Sequence, residues 1–151
     1  MNEMELANNK KAFFDYEILE KIEAGLALTG AEVKSAKLGR VSLKGSYVSN
    51  LGNRLYLTGA TISAYQPANQ PADYDATRPR PLLFKKKEIS YLIGKIKERG
   101  LTLVPLRMYT KKNLIKLEVG LAKGKKKFDK RQQIKQREDE RRIRRSLKGE
   151  E

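Results

Sequence analysis

The sequence predicts a mainly β protein: a small closed antiparallel barrel, short helices inserted in it, and a basic C-terminal tail outside it. Three observations carry that expectation. Apolar and polar residues alternate in short runs separated by turn residues, most cleanly at Ile115, Leu117, Val119 and Leu121. One stretch breaks that period, with Ile89, Leu92, Ile93 and Ile96 at i, i+3, i+4 and i+7, the stripe of an amphipathic helix. Finally, Lys123 to Glu151 holds thirteen Lys and Arg against six Asp and Glu, and its few apolar residues cannot bury a core.

Taken in order, residues 13–28 form a mixed segment. Ile18, Leu19 and Ile22 fit a helix, but Leu26 and Leu28 alternate as in a strand. The aromatics at its start and Gly25 within it favour a strand with a bulge. Thr29-Gly-Ala-Glu32 matches a capping box, so a short helix opens at Thr29 and ends near Gly39. From Val41 to Tyr65 the pattern turns β: Val41 and Leu43 alternate, Gly52-Asn53 makes a turn, and Leu55 and Leu57 alternate after it. Gln66 to Pro81, with four of the five prolines, reads as a long loop. Leu82-Leu83-Phe84 leads from it into the Ile89–Ile96 helix, which Gly100 stops. Leu101 and Leu103 alternate, then Val104, Leu106 and Met108 alternate on the opposite parity, marking a bulge or an edge at Val104-Pro105. A turn at Lys111-Lys-Asn113 precedes the last strand. Such short strands with hairpin turns fit an OB-like barrel over residues 1–122, an architecture that commonly binds oligonucleotides. Residues 123–151 form the tail.

Charge narrows the function. The chain of 151 residues carries a net +15; the tail accounts for +7, so the body is basic too. A large anionic partner follows, nucleic acid or an anionic membrane. No run approaches the roughly 20 apolar residues of a membrane span, and the N-terminus lacks a secretory pattern. The absence of cysteine agrees with a cytoplasmic protein. Nucleic acid is therefore the expected partner. Without His or Cys the chain lacks the commonest general base, the thiol nucleophile and the usual zinc ligands. Gly120-Leu-Ala-Lys-Gly-Lys-Lys has the wrong spacing for a phosphate loop. Carboxylate chemistry would fall to Glu20, Glu23 and Glu32, but their spacing pairs no two of them. A non-enzyme without metal or cofactor is expected.

Only one Gly and no Pro follow Gly124, and Glu138/Arg142 and Glu140/Arg144 stand at helical i,i+4 spacing. A solvated run without a task is the plainer explanation of such charge. A basic body behind it favours a segment that is disordered alone and becomes helical along a polyanion.

Collinear blocks along the chain resemble a specific family. Asn9-Lys-Lys-Ala12 with Tyr16, Glu23-Ala-Gly25, Leu28, Gly30 and Glu32-Val-Lys-Ser35 begin the series. Arg78-x-Arg80, Leu82-Leu83, Gly94-Lys95 and Gly100-Leu-Thr-Leu-Val-Pro-Leu106 continue it, and Gly120-Leu-Ala-Lys-Gly-Lys-Lys126 and Asp129-Lys-Arg131 close it. The ordered set is similar to the small protein B family, the SsrA-binding proteins. The resemblance implies an OB-like barrel that binds the tRNA-like domain of tmRNA and delivers it, with the elongation factor that carries aminoacyl-tRNA, to ribosomes stalled without a codon. It also implies a tail that enters the vacant mRNA channel of the small subunit as a helix against rRNA. A cytoplasmic monomer is expected.

The same resemblance nominates residues. Asn9, Glu23 and Leu83 match RNA-binding positions. Asn9 hydrogen-bonds a base or ribose, or else serves a turn. Glu23 accepts from a base amino group or 2′-hydroxyl, orients a neighbouring Lys or Arg, or simply faces solvent. Leu83 packs on an exposed base or in the core. Lys125 and Lys126 match the family's Gly-Lys-Lys, and Lys130 and Arg131 its phosphate-holding pair; Asp129 aims them or caps the tail helix. Two departures stand out. Phe128 replaces the usual His or Tyr, which preserves base stacking but not a side-chain hydrogen bond. Pro81 stands where Lys is usual, and Phe84-Lys85 where Leu-His is common. A ribosomal protein or rRNA-binding assembly factor would share the composition, and is the alternative.

Overall fold

A computed structural model describes residues 3–66 and 74–125, together with residues 134, 137, 138 and 141. The order of elements is β1 (Met4–Asn8), α1 (Lys10–Asp15), β2 (Tyr16–Leu26), α2 (Gly30–Lys37), β3 (Val41–Ser42), β4 (Tyr47–Leu51), β5 (Arg54–Thr58), β6 (Thr61–Ile62), β7 (Arg80–Leu83), α3 (Lys86–Arg99), β8 (Thr102–Lys111) and β9 (Leu114–Gly124). Seven strands form one antiparallel sheet in the order β1-β8-β9-β2-β7-β5-β4, and β3 pairs β6 separately.

Local sequence explains most of these pieces. Thr29 Oγ1 accepts from the Glu32 N–H while Glu32 accepts from the Thr29 N–H, the reciprocal box that starts α2. Gly39, at φ +78°, follows its end. Gly100 ends α3 in the left-handed region at φ +63°. Two hairpins turn on residue pairs with both φ positive, Gly52-Asn53 and Lys112-Asn113, whose twist matches the flanking strands. The parity change near Pro105 is a bulge: the β8–β9 register shifts between Pro105 and Arg107. Leu103 and Met108 therefore face the main core while Val104 and Leu106 face a second one.

The expected closed barrel is not what forms. β1 and β4 are the sheet edges; β4 approaches β8, but no ladder joins them among the described residues. Pro105 has no N–H to offer across the gap, and the bulge turns the Pro105 and Leu106 carbonyls to Asn9, whose side-chain amide and backbone N–H donate to them at 2.8 Å each. The seam is left as a cleft of about 320 Å³ between Tyr47–Val48 and Thr102–Val104. Several further features differ from the pattern. β1 and α1 precede the expected strand, which keeps its bulge, at Leu19 rather than at Gly25. The end of the long loop is a strand, β7, wedged between β2 and β5 by two residue pairs on each side. Of the α3 stripe only Leu92 is fully buried; Ile89, Ile93 and Ile96 are half-buried.

The curled sheet wraps a core of Leu43, Leu55, Leu57, Leu103, Met108, Leu117, Val119 and Leu121. On the outer face α1 covers one end, burying Ala12 against Val104, Leu106 and Ala122. Contact there is tight: a Cβ on Gly120 would lie 3.1 Å from Leu106 and 3.2 Å from Ile18. The other end of that outer face is polar and open.

Behind β7 sits a buried ionic cluster. Glu32 and Arg80 are both withdrawn from solvent, and Arg80 donates through Nε and Nη2 to Glu32 at 3.0 and 2.8 Å and to the Ala60 and Ala76 carbonyls at 2.9 Å. Arg78 adds a two-pronged pair to the same carboxylate, and Tyr74 donates to the Ile62 carbonyl at 2.7 Å beside it. Burial pushes the Glu32 carboxyl up, but donation from Arg78, the Thr29 N–H and Arg80 outweighs it and brings the pKa down to about 2. This cluster ties α2, β7 and the descending loop into one unit.

Candidate nucleic-acid interface

Register lines up the open end of the outer face. Asn8, Arg107, Glu118 and Glu23 follow one cross-strand row over β1, β8, β9 and β2. Glu5, Tyr109, Lys116, Gly25 and Leu83 follow the next, which reaches β7. Only the bulge after Pro105 puts Arg107 and Tyr109 on this face, since uninterrupted alternation would turn them the other way.

The polar groups there are interlocked. Arg107 stacks over the Tyr109 ring at 4.1 Å and pairs with Glu118 and Glu3 at 3.5 Å each. Tyr109, only 2% exposed, donates its hydroxyl to Glu23 Oε2 at 2.6 Å, and Lys111 Nζ reaches the same oxygen at 3.3 Å. The Tyr109 hydrogen bond holds the Glu23 carboxyl below its ordinary range against a smaller opposing effect of burial. Conversely, burial and the Glu23 carboxylate push the Tyr109 hydroxyl up. Lys21 extends the cationic surface toward α1, its ammonium 5.6 Å over the Phe13 ring.

Glu23 and Leu83 therefore come together: Leu83 pairs with Gly25, two residues from Glu23, and is 57% exposed. A Cβ on Gly25 would come 3.2 Å from Leu83 Cβ, so the glycine leaves room for that side chain. Leu83 is outside the core; Leu82 beside it is inside. Asn9 lies apart from this pair, at the β1–α1 junction, with its amide committed to Pro105. Lys125 is anchored to α1 rather than free, its N–H donating to the Asp15 carbonyl at 3.0 Å and Nζ to the Phe13 carbonyl at 3.2 Å. Lys126, Phe128, Asp129, Lys130 and Arg131 lie outside the described residues, as do Arg142 and Arg144 of the expected tail pairs. Ile134, Arg137, Glu138 and Arg141 are helical, and the Arg137 guanidinium sits 5.3 Å over the Phe14 ring of α1.

The three carboxylates considered for catalysis are engaged by different donors. Glu20 accepts from Tyr91 of α3 at 2.6 and 2.9 Å, Glu23 from Tyr109 and Lys111, Glu32 from Arg78 and Arg80. Among the described residues no three acidic groups cluster as metal ligands, and no helix is long and apolar enough to cross a membrane. Sequence reasoning missed Arg107 and Tyr109 as site residues. The parity change at Pro105 was the available signal, because it fixes which residues of β8 turn outward.

A family model described as SmpB protein matches residues 6–149. The SsrA-binding protein of Sulfurihydrogenibium sp. is 50% identical over 149 residues, covering 99% of this chain and 97% of that protein. That of Carboxydothermus hydrogenoformans is 49% identical, covering 95% and 96%, and that of Cupriavidus necator 49%, covering 97% of each. A chain of the solved structure described as "tmRNA-SmpB: a journey to the center of the bacterial ribosome" is 44% identical with a TM-score of 0.63, covering 80% of this chain and 84% of that one. With a family match that spans both the sheet and the tail, this chain belongs to the SmpB protein family.

Proposed function

We propose that this protein binds the tRNA-like domain of tmRNA and delivers it to stalled ribosomes for trans-translation, acting as a cytoplasmic, monomeric RNA-binding protein and not as an enzyme. The observation that carries the proposal is the match over residues 6–149, which includes sheet and tail together. Physical support comes from the outer face. A tRNA-like fold is recognised through shape, phosphates and 2′-hydroxyls, which requires cations and a few fixed acceptors rather than a catalytic centre. Lys21, Arg107, Lys111 and Lys116 supply the cations, Glu23 the acceptor, and exposed Leu83 an apolar surface for a base. The curled sheet from β1 to β9 serves as an OB-like platform despite its open seam. Asn9 contributes by fixing the β1–β8 junction, leaving its amide oxygen for RNA.

Residues 123–151 are the second functional part. Lys125 fixes the start of the tail to α1; Lys126, Lys130 and Arg131 hold rRNA phosphates of the small subunit, Asp129 aims or caps them, and Phe128 offers a ring for stacking. The elongation factor that carries aminoacyl-tRNA joins the delivered complex. No cofactor or metal is invoked. Sequencing the RNA that copurifies with the full chain tests the proposal. One tRNA-like RNA, at a level far below the ribosome's, is expected; stoichiometric rRNA without it would instead indicate a ribosomal protein or assembly factor.

A further inference from the structure

We propose that Tyr109 is a positioning residue for RNA recognition: its buried hydroxyl holds the Glu23 carboxylate so that the second oxygen, Oε1, is presented to a base amino group or a ribose 2′-hydroxyl. The inference rests on the reading of Glu23 as an RNA contact.

Both donors to Glu23, Tyr109 and Lys111, fall on Oε2; among the described residues Oε1 accepts no hydrogen bond from the protein. The carboxylate needs such restraint. Register sets Glu23 directly opposite Glu118, and like charges across a strand pair repel, so an untethered Glu23 would turn away from the sheet. Lys111 is a poor tether, about half exposed, at 3.3 Å and on a flexible stem. Tyr109 is a good one. Its ring is buried, stacked beneath Arg107 at 4.1 Å, and Arg107 is itself held by Glu3 and Glu118. A phenol with two torsions, fixed in that way, directs a 2.6 Å bond to a charged acceptor, the strong class of hydrogen bond. Fixing an acceptor before binding removes an ordering cost that would otherwise fall on the complex.

The test is a double-mutant cycle on the full chain. The probe is a transcript of the tRNA-like domain of tmRNA, and the readout is affinity at fixed salt. Glu23→Gln should weaken binding about tenfold, the loss of a hydrogen bond to a charged acceptor. Tyr109→Phe keeps the ring and the Arg107 stack and should weaken it about fivefold. In a Glu23→Ala background, which removes the acceptor altogether, Tyr109→Phe should add almost nothing, because the hydroxyl acts only through that side chain. A pH series from 4 to 7 gives a readout that a merely structural role would not move. The groups facing Glu23 are Tyr109, Arg107 and Lys111 from β8 and Lys116 and Glu118 from β9, with Lys21 on its own strand; β7 contributes only uncharged Leu83. Without the Tyr109 donor the Glu23 carboxyl protonates at higher pH, so the acid loss of affinity should begin at higher pH in Tyr109→Phe than in the parent. Three outcomes overturn something specific. Unchanged binding by both Glu23→Gln and Glu23→Ala removes Glu23 from the RNA site. A weakened Glu23→Gln with an unaffected Tyr109→Phe leaves that site standing and sinks the positioning role. Additive losses in the double variant also sink it, since Tyr109 would then act elsewhere.

Discussion

Replacing Glu32 by Gln keeps the shape of the side chain and removes its charge, which isolates what the ionic cluster contributes. Arg80 is fully buried and cannot turn to solvent, so the variant leaves a buried guanidinium facing an amide. Breaking a buried pair by removing one partner costs about 3–5 kcal/mol. The carboxyl provides an independent check. Its pKa falls from 4.5 to about 2, and at 1.36 kcal/mol per unit the difference corresponds to about 3 kcal/mol. The sign is that of a depressed carboxylate: the stability is present above pH 4.5 and is lost as pH falls toward 2. For a folded body of this size, a loss of about 4 kcal/mol lowers Tm by about 15 °C. Urea denaturation at pH 7 and pH 3.5 checks both numbers. The parent should lose stability between the two pH values, and Glu32→Gln should be less stable at pH 7 with a shallower acid dependence. A loss below about 1 kcal/mol at pH 7 would refute the view that this cluster holds β7 and α2 together.

Other expectations follow from the division between sheet and tail. A chain ending at Lys125 keeps the bond to Asp15 and should fold and bind the tRNA-like domain within a few-fold of the full chain; gel-shift titration that finds binding abolished would move the RNA site into the tail. Four outer-face cations on phosphates give a salt slope near −3.6. Affinity should therefore fall on the order of 100-fold between 50 and 200 mM salt, and a flat titration would mean that Lys21, Arg107, Lys111 and Lys116 do not touch phosphate. Leu117→Ala, in the main core, should cost about 3 kcal/mol in the same urea assay without changing the salt slope.

Local rules made much of the fold legible. The Thr29–Glu32 box, the Gly52-Asn53 and Lys112-Asn113 turns and the Gly100 stop each depend on a few adjacent residues, and each occurs where its residues stand. The parity change at Pro105 was legible as a bulge or an edge, and the β8–β9 register makes it a bulge. What escaped depends on partners far along the chain. β7 contains Arg80 and Pro81, poor strand formers, and is a strand because Glu32, Ala60 and Ala76, 48, 20 and 4 residues earlier, accept from the Arg80 guanidinium. Closure of the barrel failed for a similar reason, since Asn9 captures the Pro105 and Leu106 carbonyls across 96 and 97 residues. Glu23 and Leu83 could be nominated one by one from the family resemblance, but their adjacency required the β2–β7 register. Tyr109 became visible only once the hydroxyl was placed on Glu23.

The most direct measurement is peptide tagging in a reconstituted translation system containing tmRNA, the elongation factor and ribosomes stalled on a truncated mRNA. With the intact chain, tagging should depend on added protein and fall sharply when long mRNA extends beyond the A site, because that mRNA occupies the path proposed for the tail. Changing Asp129, Lys130 and Arg131 together to Ala should leave binding of the tRNA-like domain nearly intact and abolish or greatly reduce tagging. Tagging that proceeds without the protein, or undiminished with the triple variant and with long downstream mRNA, would contradict the proposed delivery of tmRNA by the sheet and the sensing of an empty channel by the tail.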